Sequence, residues 1–146
     1  MFEIILVVSL SYAAIWGGGP ERVAAMLYTA ASIGSLLGGW RGMPGNFSIV
    51  PTYLMIVDIA LLVGLIVLTL RAARFWLIPA TSCQLVAVAV HISKLMAPSM
   101  IPTSYAFLTT VWSWPMVLLL AFGSRQHSIR IKYGRIDLDW KPISVR

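Results

Sequence analysis

The stretch Arg74-Phe-Trp-Leu-Ile-Pro-Ala-Thr-Ser-Cys-Gln84-Leu-Val-Ala-Val-Ala-Val-His91-Ile-Ser-Lys94-Leu-Met96 decides how this chain is read. It reaches the length of about 20 mostly apolar residues that a membrane-crossing helix needs. Yet it carries an amide, an imidazole and an ammonium, and polar groups at such depth are costly and tend to mark function or helix fastening. Gln84 precedes His91 by two helical turns and Lys94 follows it by about one, so the three share a face.

The rest of the chain has the same character. Of 146 residues, 59% are hydrophobic and 11% charged, against about a quarter charged in soluble proteins, and mean hydropathy is +0.85. The expectation is an all-α polytopic membrane protein with five transmembrane helices. The spans fall at about 2–18 (short), 21–40, 51–70, 74–96 and 103–123, so that residues 1–123 form a helix bundle and 124–146 a basic cytoplasmic tail. Gly17-Gly-Gly-Pro20 ends the first span, and Pro20-Glu21-Arg22 suits a helix start. Glu3 stands where a secretory signal has basic residues, so the first apolar run reads as a permanent span. Ala30, Gly34 and Gly38, four apart, make a small-residue face on which another helix can pack closely. Pro115 removes a backbone donor and kinks the fifth span. Trp112 and Trp114 beside it are candidates for packing on a lipid tail or flat ligand, although core or lipid-facing packing is the commoner role.

Cations set the expected orientation. With the tail inside, the cytoplasmic side holds Arg22, Arg71, Arg74, Arg125, Arg130, Lys132, Arg135, Lys141 and Arg146, against Arg41 and Lys94 outside. The N-terminus is then outside and the C-terminus cytoplasmic.

Asp58 is the one charge within the third span. Counting from the span ends at about 1.5 Å per residue, Asp58 and His91 both lie roughly 8–11 Å below the outer surface. A pair between adjacent antiparallel helices is geometrically possible, with Gln84 deeper and Lys94 nearer the surface. A carboxylate beside an imidazole suits proton handling or contact with a quinone or pigment. The commoner role of such a polar stripe is fastening, with Lys94 snorkelling outward. His127, the only other histidine, lies toward the opposite surface, which excludes bis-histidine haem. Cys83 is a lone thiol in an apolar span, and no cluster with metal-ligand spacing or catalytic triad occurs. No metal and no cofactor of the chain's own is expected; lipid, quinone, carotenoid or chlorophyll could sit at a subunit interface.

In the tail, Ile129, Ile131 and Tyr133 alternate with Arg130 and Lys132, which suggests extended structure turning near Gly134. Continuation of the last helix to about Lys132 is an equal rival. Arg130, Lys132, Arg135 and Trp140 are candidate contacts for anionic lipid or a partner, and nucleic acid is excluded. Something must hold so short a segment, either the chain's own inner loops or a partner.

Val57-Asp58-Ile-Ala-Leu, Arg74-Phe-Trp, the Gln84–Lys94 run, Ser104-Tyr-Ala-Phe, Trp112-Ser-Trp-Pro115 and Asp137-x-x-Trp140 together resemble small multi-pass membrane proteins of alphaproteobacteria. The resemblance implies a bacterial inner membrane and brings no assigned activity, so no functional residue is carried over from it.

Two functions follow as expectations. The first is a non-catalytic accessory subunit of a larger respiratory or photosynthetic membrane complex, partnered by other integral membrane subunits. The alternative is a small transporter or proton-linked carrier using Asp58, His91 and Lys94. An enzyme is not expected.

Overall fold

The computed structural model describes residues 1–41, 52–97, 99–134 and 139–141, with the backbone alone for 38–41. The described residues form helices and no strand: α1 Phe2–Trp16, α2 Gly19–Arg41, α3 Thr52–Arg71, α4 Leu77–Met96, α5 Pro102–Val111 and α6 Ser113–Lys132. Three lengths are long and apolar enough to cross a membrane: Thr52–Arg71, Leu77–Met96 and the nearly continuous Pro102–Lys132.

Proline decides two boundaries. The segment from Arg74 does not begin as helix, because Pro79 has no N–H for the Phe75 carbonyl and its ring crowds that group. Phe75 and Trp76 form a turn instead, and α4 starts at Leu77. Pro115 likewise leaves the Val111 carbonyl without its helical partner, and the rod is interrupted one residue later at Trp112. The last helix runs to Lys132 rather than ending near Gly123, so of the two rival readings of residues 129–132 helix continuation holds and extended structure does not. Its 31 residues span about 46 Å, well beyond a hydrocarbon core of about 30 Å, so the basic end has length to project. Gly134, at φ 65°, closes it in the left-handed conformation that glycine adopts without penalty.

Consecutive helices α1–α2, α2–α3 and α3–α4 pack in antiparallel fashion and α4 also packs on α5 and α6. By contrast α1 runs parallel to α6, with Phe2 against Trp114 at one end and the Trp16 carbonyl accepting from Ser128 at the other. Leu65, Leu77, Leu120, Ala13, Ala24 and Ala80 are fully buried at their meeting points. Large apolar side chains such as Val7, Val63, Ile66, Leu70, Leu85, Leu118 and Phe122 face outward, while Glu21, Arg74, Gln84, His91 and Lys94 are buried. Apolar outside and polar inside is the arrangement a lipid solvent favours.

Of the small-residue face on α2, Gly34 sits against α3, where a Cβ would lie 3.2 Å from Val57. Ala30 lines a shallow apolar groove with Leu10 and Ala14 of α1. The Gly38 and Arg135 side-chain positions fall outside the described residues.

Gly123 of α6 admits the indole of Trp76, which would overlap any Cβ placed there. Trp76 is held by a hydrogen bond to Glu21 and cannot swing away. Gly123→Ala is therefore expected to lose about 1–3 kcal/mol. Gly64→Ala is the comparison, since its Cβ would meet only the mobile end of Leu27, at 2.9 Å. Thermal unfolding in detergent, followed by circular dichroism, should show the larger drop for Gly123→Ala.

Candidate functional site

Two polar clusters lie inside the bundle, toward its opposite ends. The first gathers around Asp58. Its Oδ2 lies 2.7 Å from His91 Nε2, so the two groups expected at one depth do meet across α3 and α4. Gln84 Nε2 donates to Asp58 Oδ1 at 3.2 Å and to the Asp58 backbone carbonyl at 3.1 Å. The second imidazole nitrogen, Nδ1, lies 2.7 Å from the hydroxyl of Tyr105 on α5. Tyr105 is 1% exposed and meets the imidazole edge-on, with ring centroids 5.5 Å apart.

Lys94 shares this face but does not snorkel outward. It is 3% exposed and its ammonium donates to the Met100 carbonyl at 2.5 Å. It thereby ties the end of α4 to the turn before α5. Lys94 acts as a strap there, since an ammonium presents three donors and the turn offers carbonyl oxygen.

The imidazole has partners on both nitrogens, and that sets its chemistry. In the neutral ring Nε2–H donates to Asp58 and Nδ1 accepts from the Tyr105 hydroxyl. In the protonated ring Nδ1–H donates to the Tyr105 oxygen while its hydroxyl hydrogen turns away. Both forms keep both contacts, because a hydroxyl serves as donor or acceptor. The side chain of Asp58 is 28% exposed and lines a cavity of about 310 Å3 among α1, α2, α3, α4 and α6. The row Tyr105–His91–Asp58 thus leads from a buried phenol to an open space.

The second cluster was not legible from spacing. The Arg74 guanidinium, in the α3–α4 connection, is the common partner of three groups. Its Nε lies 3.0 Å from Glu21 Oε1, an ion contact rather than an aligned hydrogen bond. Its Nη2 pairs with Asp139 Oδ1 and lies 3.1 Å from His127 Nδ1. A guanidinium has no acceptor, so in this contact Nδ1 of His127 accepts. Glu21 Oε1 also accepts from Trp76 Nε1 at 3.1 Å, and Asp139 Oδ2 accepts from Gly19 N at 3.2 Å.

This cluster holds the tail. Ala73 N donates to the Asp139 carbonyl at 3.1 Å and Lys141 N to the Arg71 carbonyl at 2.9 Å, an antiparallel bridge of Ala72 with Trp140. Gly18 and Gly19 leave room for Asp139, His127 and Trp140. The α1–α2 and α3–α4 connections therefore clasp residues 139–141. Glu21, His127 and Asp139 also bring ligand atoms within 4.8 Å of one another, a set of the type that binds metal. Arg74 touches all three, so as arranged their charge serves the guanidinium.

Trp114, at the start of α6, packs on Phe2 of α1 with ring centroids 5.3 Å apart. Trp112 Nε1 is buried with no hydrogen-bond partner among the described residues. Arg130 and Lys132 lie exposed on the last turns of α6. Tyr105, Glu21, Arg74, Trp76, His127 and Asp139 are the structural residues that spacing did not single out. Arg74-Phe-Trp, Ser104-Tyr-Ala-Phe and Asp137-x-x-Trp140 carried Arg74, Trp76, Tyr105 and Asp139 without indicating what they meet.

No protein-family model, curated protein or solved structure matches this chain.

Arg74→Ala should lose about 3–5 kcal/mol, because it leaves Glu21 buried and uncompensated. Arg74→Lys should recover only part of this, since an ammonium cannot fork to Glu21, His127 and Asp139 at once. Asp139→Ala should leave the helices folded but free the tail, which limited proteolysis beyond Lys132 would detect as faster cleavage than in the unaltered protein.

Proposed function

We propose that the chain is a small proton-linked carrier of the bacterial inner membrane, with the Asp58–His91–Tyr105 row as its proton relay and no enzymatic activity. The observation that carries this reading is Asp58 itself. One carboxylate oxygen faces an imidazole at 2.7 Å, while the residue borders an open cavity inside the bundle. A carboxylate and an imidazole in hydrogen-bond contact can pass a proton between them, since each can accept and release one. Polar residues that serve only to fasten helices need no access to a cavity.

The reading takes all five helical lengths as spans, with α1 short and α5–α6 as the fifth. Arg71, Arg74, Arg125, Arg130, Lys132 and Lys141 are grouped at the end where α3 meets α4 and α6 terminates. By the positive-inside rule that end is cytoplasmic and the Asp58 cavity lies toward the outer face. The resemblance to alphaproteobacterial membrane proteins supports the inner membrane as its location.

The accessory-subunit expectation drew on the absence of enzyme signals, the small-residue packing faces and a tail lacking a core of its own. The stripe of α4 is engaged by Asp58 and Tyr105, and the tail by Arg71 to Arg74. These internal contacts are why the carrier reading is preferred here.

Reconstituted in proteoliposomes with an internal pH dye, the protein should conduct a measurable proton flux under an imposed gradient. Asp58→Asn and His91→Ala should each abolish it while helix content and detergent-solubilised size stay unchanged. Flux equal to that of the unaltered protein in both variants would remove the relay.

A further inference from the structure

The cavity beside Asp58 has a chemical character of its own. We propose that it binds a small organic ammonium ion, a monocation with a compact apolar body; this names the solute class of the carrier reading and rests on it. Its volume is about 310 Å3, at the lower end of the range for small-molecule sites. Glu3 of α1 and Asp58 of α3 border it, together with Tyr28, Ser32 and Ser35 of α2. No lysine or arginine is among its described lining residues. Two carboxylates with no such cation facing them among the described residues favour a positive guest and repel an anion. Glu3 has no ion-pair partner among the described residues.

An independent observation comes from Tyr28. This cavity-lining residue is 4% exposed, and its hydroxyl is buried with no hydrogen-bond partner among the described residues. A buried hydroxyl left unpaired is unfavourable and calls for a partner. As it stands the hydroxyl has no accessible surface. It accepts from an ammonium N–H once the guest draws the Tyr28 ring toward the cavity it borders, with further N–H groups facing Asp58 or the serine hydroxyls. The other walls, Leu6, Leu61 and Met116, are apolar and suit a hydrocarbon body better than a hydrated metal ion. A hard cation needs six or more oxygen ligands, which these walls do not supply. Gln84 is already committed to Asp58, so it leaves the carboxylate oriented without adding positive charge.

The test uses the full chain in nanodiscs of zwitterionic lipid, titrated calorimetrically at neutral pH with 2-phenylethylammonium and with the neutral 2-phenylethanol. The ammonium should bind saturably, and the alcohol weaker by about tenfold or more, the worth of a charge-assisted contact. Asp58→Asn should weaken the ammonium by about tenfold or more, and Tyr28→Phe by about three- to tenfold. Should Asp58→Asn fail to fold, Glu3→Gln at the exposed end of α1 takes its place, weakening the ammonium and leaving the alcohol unchanged. Equal binding of both compounds, no binding of the ammonium, or an unaltered Tyr28→Phe affinity overturns the inference. Asp58-dependent proton flux without ammonium binding removes this solute and leaves the relay. Ammonium binding without flux keeps the site and removes the carrier.

Discussion

The Arg74 guanidinium joins parts of the chain that lie far apart in sequence. Glu21 starts α2, Arg74 lies between α3 and α4, His127 sits near the end of α6, and Asp139 follows that helix in sequence. Glu21 is fully buried and Arg74 nearly so. Such a pair adds little net stability against an apolar substitute, but losing either partner strands a charge away from water. The cluster therefore works as a register device: helices that slide past one another would separate the charges, so one arrangement is selected over its neighbours.

With one end of the bundle tied in this way, the other end can hold a looser construction. There the polar groups are hydrogen-bonded side chains around a cavity, and Asp58 keeps part of its surface open. The two ends divide the labour physically. The Arg74 end pairs its charges, although Glu21 Oε2 is buried with no hydrogen-bond partner among the described residues, and its side chains pack into the room that Gly18, Gly19 and Gly123 leave. The Asp58 end leaves a hydroxyl, Tyr28, and a carboxylate, Glu3, without partners among the described residues. Unsatisfied groups beside a cavity are where a guest or a proton can be exchanged.

Much of the fold was legible. Apolar runs of spanning length, ended by glycine, proline and charge, mark the helices because a lipid-facing helix must be apolar along its length. The encounter of Asp58 with His91 could be anticipated because both were placed by counting from span ends, and the 1.5 Å rise makes depth a linear function of sequence. Gln84 followed from helical periodicity. Arg74 to Trp76 did not behave as helix, and here Pro79 in the chain already held the reason. The extension of α6 to Lys132 was an open choice, since isoleucines alternating with basic residues satisfy a strand pattern as well as an exposed helix end.

What the sequence determined alone is what depends on one segment at a time: helix, apolar length, depth along an axis, and the face on which a side chain stands. What tertiary structure decided is which faces meet. Tyr105 could be anticipated neither from its spacing nor from its neighbours, because its partnership with His91 depends on how α5 leans on α4. Arg74, at a span end, looked like one more positive-inside cation. It proved to be buried, since Glu21, His127 and Asp139 converge on it from distant stretches. Rotation of helices about their axes and the path of connections are set by packing among several segments at once, and no local pattern encodes that.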